Sequence, residues 1–483
     1  MEQLNLDRLF NPRHIAMIGA SETPGKWGFL IMANILKGNY TGKFYPVNPK
    51  RESILGMPSY KSAADLPEPV DVAVVTTPAH SVPDLMDQFG ARGIPNVVLV
   101  SSDFSEAGQE GAALEREVVA RARKYNIRVV GPNTMGIFSA ETSLHILMPT
   151  VEPPHGVVSM FSQSGNFGTQ LLQWGEEEEV GFEKFASSGN EGDLNCVDYL
   201  RYFGQDKATG VILGYIEGVD SGSEFLSVAK GVSREKPIVI FKGGRSKQGA
   251  KAAASHTGAM AGSFEVYESA FRQAGIIRVS KIYEIIDCAK AFSSFPLPKG
   301  NRVGILTRGG GWGVITTDTC AANNMKVAPL PDEVIKKISN ILPKYWSHGN
   351  PIDMVAVAAM EPFMECLEIL ASWEGVDSVI ALAGRTGSFF KVSKEKDFHG
   401  NMKPVREILL KMESDVHKSH GNMISFAKEL MLKTEKPIMF VDLSLNDEEV
   451  KNLRGYRPFA YPTPERAVKA LRRMWDYKQF LNG

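Results

Sequence analysis

The stretch HIAMIGASETPGKWGFLIMANILKGN, residues 14–39, predicts how the chain folds. Its beginning, 14–21, is typical of a buried strand that ends in a glycine turn, and its end, 28–39, has the composition of a helix. A glycine-containing turn joins the two. Because such a turn presents backbone N–H groups and the positive end of a helix dipole, it is suited to bind an anion. The stretch therefore indicates an α/β fold with a binding site at the carboxyl end of its first strand.

The same alternation of strand and helix continues to about residue 140. It favours a doubly wound nucleotide-binding fold, with a parallel sheet covered by helices on both faces. The predicted strands are 42–49, 70–78, 96–104 and 127–133, and the predicted helices are 80–91 and 109–125.

Two further blocks repeat this pattern, so the sequence predicts three α/β domains with parallel sheets, at 1–140, 150–295 and 300–483. A proline pair and the linker SFPLPKGN mark the boundaries. A long polar segment at 388–420 is expected to be a surface excursion. In the second block the predicted strands are 156–162, 182–190, 209–218 and 236–244, and the predicted helices are 166–178, 194–203, 222–234, 263–274 and 281–294.

The composition excludes several classes of protein. A hydrophobic fraction of 43% and a charged fraction of 23% are close to globular averages, and the net charge of −1 argues against a nucleic-acid or lipid-surface partner. No signal peptide and no apolar run of about 18 residues is apparent, so a cytoplasmic protein without a membrane span is expected. The widely spaced cysteines predict neither disulfides nor a metal site. They are Cys196, Cys288, Cys320 and Cys366.

The second predicted strand ends in YPVNP, residues 45–49, and carries no carboxylate for a ribose hydroxyl. Lys43 and Lys50 flank it instead. A basic pocket without an acid suits a nucleotide that carries an extra phosphate on its ribose. NADP and coenzyme A both meet this condition, and the turn does not choose between them.

Two more turns of this kind occur in the second block, in SQSGN, residues 162–166, and SSGNEGD, residues 187–193. Each follows a predicted strand, and each could be an anion site at a helix N-terminus or an ordinary helix cap. Since the carboxyl ends of parallel strands meet at one edge of a sheet, the two turns together favour an anion site.

A lone histidine, His256, lies in the small-residue segment GAKAAASHTGAMAGS, residues 249–263. One imidazole nitrogen can act as a nucleophile toward phosphorus while a carboxylate holds the other as N–H. Glu217, at the end of a predicted strand, is a candidate for that carboxylate. The upstream cations Lys242, Arg245, Lys247 and Lys251 would favour a phosphate nearby. The alternative is a solvated loop histidine.

These residues resemble the α-subunit family of NDP-forming acyl-CoA synthetases, relatives of succinyl-CoA synthetase. The resemblance covers nearly the whole chain, and the motifs occur in the order of the family. They are IGAS…PGK (18–26), YPVNP (45–49), GPNTMG (131–136), SQSG (162–165), SGN…D (188–193), YIEG (215–218), SHTGA (255–259) and NPID (350–353).

The resemblance implies a Rossmann-like CoA-binding domain, then a flavodoxin-like domain that carries a phosphohistidine, then a second flavodoxin-like domain. His256 matches the phosphohistidine, and Glu217 matches the glutamate that steadies it. The residues that match family contacts to CoA are Gly19, Ser21, Lys26, Val47, Asn48 and Pro78. Those that match family contacts to phosphate are Ser164, Gly165, Gly189 and Asn190.

The implied activity is that of an ADP-forming acid–CoA ligase, with acetyl-CoA as the expected substrate. Acyl-CoA, phosphate and ADP give the acid, CoA and ATP reversibly, through an acyl phosphate and a phosphohistidine. No ATP-grasp pattern is found in the chain, so ADP or ATP with Mg is expected on a separate ATP-grasp β-subunit in an α2β2 assembly. Two alternatives stay open: a CoA-binding regulatory subunit without phosphoryl transfer, and an NADP-dependent oxidoreductase.

Overall fold

The structure, a computed structural model, describes most of the chain as two compact units, Met1–Ile286 and Asp287–Gly483. The described residues are 5–249, 251, 264–355, 357, 359–382, 422–443, 445 and 455–483. The segment around His256 and the polar segment at 388–420 lie outside them. All four cysteines are described, buried and free, as the sequence predicts.

The first sheet of unit one has five parallel strands, and the sequence predicts all of them. Its strands are almost continuously apolar because helices cover both faces. In spatial order they are Lys43–Val47, His14–Ile18, Val72–Val75, Asn96–Leu99 and Arg128–Val130. The main helices beside this sheet are Trp27–Lys37, Val82–Arg92 and Gln109–Lys124, and a short helix, Asp7–Phe10, precedes it.

The second sheet of unit one has seven strands. In spatial order they are Ile277–Val279, Ile238–Lys242, Val211–Ile216, His155–Ser162, Phe182–Ser187, Gly136–Ser139 and Leu144–Leu147. The first five are parallel; four of them were predicted from the sequence, and the edge strand Ile277–Val279 was not. The last two form an antiparallel hairpin on the edge of the sheet, which the sequence does not predict because each strand has only four residues. The helices of this part are Gly165–Glu177, Cys196–Gln205, Gly222–Val232 and Phe264–Gln273, and the helix Ile282–Ser294 begins in unit one and continues into unit two.

Unit two is built on a third, parallel sheet. Its strands in spatial order are Lys326–Val327, Arg302–Thr307, Ser378–Leu382, Ile438–Val441 and Ala460–Tyr461, and Ile352–Asp353 also pairs with Arg302–Thr307. Helices of this unit are Gly310–Ala322, Asp332–Ser339, Met360–Ser372 and Pro464–Asn482. The predicted α/β fold class is therefore confirmed. None of the helices that the structure describes is long and apolar enough to cross a membrane.

The hairpin depends on Gly136, whose φ of +105° lies in a region that other residues rarely adopt. A Cβ atom here would collide with the carbonyl oxygen of Ile146 on the paired strand. We predict that Gly136→Ala lowers the free energy of unfolding by about 1–3 kcal/mol, the usual cost of such backbone strain. Urea unfolding of the full chain measures this change.

Gly231→Ala is the matched control. Gly231 lies in the helix Gly222–Val232, and an added Cβ there meets no atom within 4 Å. We expect it to be neutral or to stabilise by up to about 1 kcal/mol, because alanine favours a helix. Equal unfolding midpoints for the two variants would contradict the role assigned to Gly136.

Candidate active site

Three loops meet at the carboxyl edge of the second sheet. The strand His155–Ser162 pairs with Phe182–Ser187 on one side and with Val211–Ile216 on the other, so Ser162 lies opposite both Ser187 and Tyr215. The loops that follow these strands are 163–164, 188–195 and 217–221. This is the edge where open parallel sheets bind ligands.

Gln163 joins the three loops. Its side-chain Oε1 accepts the backbone N–H groups of Glu217 at 2.5 Å and Gly218 at 3.2 Å. Its Nε2 donates to the carbonyl oxygen of Gly218 at 2.9 Å and to the carboxylate of Glu191 at 3.0 Å. One amide side chain thus fixes the positions of both neighbouring loops.

Ser164 and Gly165 begin the helix Gly165–Glu177. The Ser164 hydroxyl caps the helix by accepting from the N–H of Phe167 at 3.5 Å. The N–H groups of the first helical turn, beginning at Gly165 and Asn166, have no partner within the helix and carry its positive dipole end. The serine is therefore a cap, as one of the two readings of the sequence expects, and the helix end it caps is also suited to an anion.

The second turn, 188–191, is tied to the first. The N–H of Ser188 donates to the carbonyl oxygen of Ser162 at 2.9 Å. Gly189 has φ +61°, and a Cβ atom there would collide with the carbonyl oxygen of Pro132. Asn190 lines the same space, but its backbone N–H donates to Pro132 at 3.0 Å and its amide donates to the carboxylates of Glu106 and Glu115. Its donors are thus committed within the protein.

A cavity of about 820 Å³ lies between these turns. All four predicted phosphate-binding residues line it. The lining residues are Trp27, Val100, Ser102, Ser105, Ala112, Glu115, Asn133, Thr134, Met135, Met148, Gln163, Ser164, Gly165, Asn166, Gly189, Asn190, Glu191, Gly192, Gly218 and Asp220.

Glu191 is a titratable residue of the cavity that was not predicted from the sequence. Its backbone is left-handed, with φ +58°, and its carboxyl group accepts from the Ser188 hydroxyl at 2.7 Å and from Gln163. Desolvation raises the pKa of this carboxyl group to about 7, even though the hydrogen bonds from Ser188 and Gln163 act to lower it. Its place in SSGNEGD, beside the predicted anion turn, was the available signal.

Glu217 follows directly on the strand Val211–Ile216, and the residue is buried. Its Oε1 accepts a hydrogen bond from the Tyr215 hydroxyl at 3.0 Å. Its backbone carbonyl accepts from the Lys242 ammonium group at 2.7 Å. Glu217 is therefore held firmly at the edge of the cavity, next to the lining residue Gly218.

Two of the cations upstream of His256, Lys242 and Arg245, make contacts with the protein itself. Lys242 is buried, donates to the carbonyl oxygens of Glu217 and Gly243, and has a pKa lowered by desolvation. Arg245 donates to the carbonyl oxygen of Ser280 at 2.8 Å and stacks on Phe264. Lys242 therefore points into the protein, whereas Arg245 lies at the surface, held by Ser280 and Phe264.

Arg245 and Phe264 also bring together the two sides of the segment that contains His256. The guanidinium carbon of Arg245 lies 5.3 Å from the centre of the Phe264 ring. Gly243, at the start of this segment, is adjacent to the side chain of Glu217. The described chain before His256 therefore passes Glu217 and meets the chain after it at Phe264, whereas His256 itself lies outside the described residues.

The six predicted CoA residues lie at the carboxyl edge of the first sheet. Gly19 follows the strand His14–Ile18, and Val47 ends the neighbouring strand Lys43–Val47. The N–H of Gly19 donates to the carbonyl oxygen of Val47 at 3.2 Å. Asn48 fixes the turn by donating to the carbonyl oxygen of Ala20 at 2.8 Å. Ser21 and Lys26 lie in the first glycine turn, and Pro78 follows the strand Val72–Val75.

The prediction that Lys43 contributes to a basic pocket at this edge is wrong. The pairing register places Lys43 opposite His14, at the amino end of the two strands and away from Gly19. Its ammonium group is paired with Glu68. Lys26 and Lys50, by contrast, follow strands at the carboxyl edge of the sheet.

Two sequence families match the regions that carry these edges. A CoA binding domain family matches residues 13–140, and a succinyl-CoA ligase like flavodoxin domain family matches residues 155–292. Fold and site thus define a class of protein in which a CoA-binding domain is followed by a flavodoxin domain of the succinyl-CoA ligase kind.

Longer comparisons define the family within this class. The acetate–CoA ligase (ADP-forming) I subunit alpha of Pyrococcus furiosus is 34% identical over 99% of this chain and 98% of that subunit. The chain belongs to the family of these ADP-forming acetate–CoA ligase α subunits. The acetate–CoA ligase (ADP-forming) I of Archaeoglobus fulgidus is 41% identical over 78% of this chain. That match covers 54% of the relative, so the chain corresponds to about half of its length.

A solved structure supports the same relationship. It is the dinucleotide-forming acetyl-coenzyme A synthetase 1 of Ca. Korarchaeum cryptofilum, in complex with phosphate and ADP. The TM-score is 0.87 and the identity 35%, over 99% of this chain and 98% of that one.

We predict that Gln163→Ala loosens the cavity edge, because it leaves the N–H groups of Glu217 and Gly218 without their acceptor. An unmade hydrogen bond of this kind costs about 1–3 kcal/mol. Amide hydrogen exchange should therefore accelerate roughly ten- to a hundredfold at residues 217–218. Gln170→Ala changes an exposed glutamine of the adjacent helix and should leave this exchange unaltered. Equal exchange in both variants would show that Gln163 does not hold the loop.

Proposed function

We propose that this chain is the α-subunit of a reversible ADP-forming acyl-CoA synthetase, with acetyl-CoA as its acyl-CoA substrate. The observation that carries the proposal is that the turns at 164–165 and 188–191 line one cavity together with Gly218, the residue that follows Glu217. The names of the related α subunit and of the related acetyl-coenzyme A synthetase support the reaction.

The proposed reaction begins when a phosphate oxygen attacks the thioester carbonyl carbon. A C–O bond forms, the C–S bond breaks, and CoA leaves as the thiol with an acyl phosphate remaining. A nitrogen of His256 then attacks phosphorus, so that a P–N bond forms and the acid leaves. In the last step an oxygen of ADP attacks the phosphohistidine, the P–N bond breaks, and ATP forms. The reverse direction uses the same steps.

Phosphate is proposed to bind at the N-terminus of the helix Gly165–Glu177. The helix dipole and the N–H groups of its first turn stabilise negative charge there. Ser164 and Gly189 complete this subsite with Asn190 as part of its wall. For an attacking phosphate, such fixed dipoles offset charge without reorganising.

Glu217 is proposed to orient His256. A buried carboxylate that accepts one imidazole N–H fixes the tautomer and leaves the other nitrogen as the nucleophile. The Tyr215 hydroxyl and the backbone contacts of Gln163 and Lys242 hold Glu217 in place. A rigid carboxylate beside a small-residue segment suits a histidine that must serve two positions.

CoA is proposed to bind at the carboxyl edge of the first sheet, through the turn at 19–26, the residues 47–48 and Pro78. Lys26 and Lys50 supply positive charge for its phosphates. We assign this role to domain 1–140, the phosphohistidine to domain 150–295 and a flavodoxin-like companion role to domain 300–483.

The nucleotide is proposed to bind a separate ATP-grasp β-subunit together with Mg. The related protein of Pyrococcus furiosus is called a subunit alpha, which supports a second subunit, and we propose an α2β2 assembly in the cytoplasm. The fold and cavity give no support to the NADP-dependent alternative, since the family matched by the first domain is one that binds CoA.

Labelling with radioactive phosphate tests the proposal. The full chain, an ATP-grasp partner, acetyl-CoA and labelled phosphate should yield an acid-labile, base-stable label on the protein. We predict that His256→Asn abolishes this label and that Glu217→Gln reduces it at least about tenfold, because the imidazole tautomer is no longer fixed. His348→Asn changes an exposed histidine of unit two and should keep the label.

Label that persists in His256→Asn would overturn the assignment of the phosphohistidine. CoA binding by calorimetry without any label would instead support a CoA-binding regulatory subunit. The two outcomes are distinct because CoA binding needs only the first sheet.

A further inference from the structure

The cavity at the edge of the second sheet is acidic. Three carboxylates line it, those of Glu115, Glu191 and Asp220, and no lysine, arginine or histidine occurs among the lining residues that the structure describes. Nor do the described His, Cys, Asp and Glu side chains form a cluster that could hold a metal ion. A phosphate dianion that enters this space therefore meets like charges, which helix dipoles offset only in part.

Glu191 has the surroundings of a group that can hold a proton. Its Oε1 is 2.7 Å from the Ser188 hydroxyl, and its Oε2 is 3.0 Å from the Nε2 of Gln163. Asp220 adds a repelling charge from the loop after Val211–Ile216. Glu115 approaches from the helix Gln109–Lys124 through its hydrogen bond with Asn190. From the helix Cys196–Gln205, the backbone N–H of Cys196 donates to the Glu191 carboxyl group, and the neutral Tyr199 faces it.

The hydrogen bonds around Glu191 can be satisfied in both protonation states. When the carboxylate is ionised, Ser188 donates to its Oε1. When Oε1 carries a proton, it can donate that proton to the Ser188 oxygen, because the Ser188 hydroxyl has a second acceptor, the carbonyl oxygen of Ser162 at 3.3 Å. Gln163 donates to Oε2 in either state. Proton uptake therefore needs only the rotation of one hydroxyl group.

We propose that Glu191 takes up one proton from solvent when a phosphate dianion enters the cavity, and that loss of this proton weakens phosphate binding at high pH. Glu191 is a positioning residue in this account, since it sets the charge of the site. The inference rests on the proposed function and deepens it. The raised pKa of Glu191, about 7, places the effect in the neutral range.

Calorimetric titration of the full chain with inorganic sulfate isolates this effect, since sulfate remains a dianion while phosphate changes its own charge near neutral pH. If only the protonated carboxyl group admits the dianion, affinity should fall about tenfold between about pH 6 and about pH 8. In Glu191→Gln, whose amide does not titrate, affinity should be the same at both pH values.

Three controls separate this effect from others. Glu115→Gln removes a charge from the same cavity and should keep the tenfold change, as should His256→Asn. In the unaltered chain, titration in two buffers of different ionisation enthalpy should reveal uptake of close to one proton per sulfate at about pH 8. This last measurement does not depend on the folding of any variant.

A tenfold change that persists in Glu191→Gln, or the absence of proton uptake by the unaltered chain, would overturn the inference and leave the proposed function standing. Absence of sulfate and phosphate binding at both pH values would overturn the phosphate site itself, and the inference with it.

Discussion

The site depends on one side chain, the amide of Gln163. Parallel strands bring their carboxyl ends to one edge, but the loops that follow are free to diverge. Gln163 prevents this, because its oxygen accepts two backbone N–H groups of the loop at 217–218 while its nitrogen reaches Glu191 in the other loop. The helix N-terminus, the glycine turn and Glu217 are thereby held around the same cavity. An amide is suited to this position, since it supplies an acceptor and two donors.

The electrostatics of this edge follow from the same arrangement. Two cations near this edge donate to backbone carbonyl oxygens. Lys242 donates to that of Glu217, and Arg245 donates to that of Ser280 and stacks on Phe264. Negative charge in the cavity must therefore be balanced by N–H dipoles and by protons. If phosphate binds here as we propose, such a site holds it less tightly than a ring of cations would. Moderate binding is an advantage for a phosphoryl group that has to be passed on, because each transfer must also run in reverse.

The sequence predicted the elements and the edges well, and it predicted the electrostatic details poorly. Strands such as Val72–Val75 and Val211–Ile216 are apolar runs bounded by turns, so a local pattern is enough to find them. Glu217, Ser164 and Gly189 were found because each follows such a strand. The family resemblance, carried by motifs along the whole chain, assigned their roles.

What the sequence could not provide depends on contacts between distant residues. From the sequence, Lys43 is expected to contribute positive charge to the pocket at the carboxyl edge. The strand register instead places it at the amino end of the sheet. The raised pKa of Glu191 arises from its burial and from the charge of Asp220, and it persists although the hydrogen bonds from Ser188 and Gln163 act to lower it. These residues come from three loops that only the fold brings together. The hairpin at Gly136–Leu147 was missed because its strands are short and pair across the edge of a sheet.

The central claim is that the edge held by Gln163 is the phosphate site. A crystal structure of the full chain grown with inorganic phosphate tests it most directly. The account predicts phosphate at the N-terminus of the helix Gly165–Glu177, within hydrogen-bond distance of the N–H groups of Gly165 and Asn166 and beside the turn at 188–191. Phosphate found only at the first sheet, or at a surface away from this cavity, would contradict it.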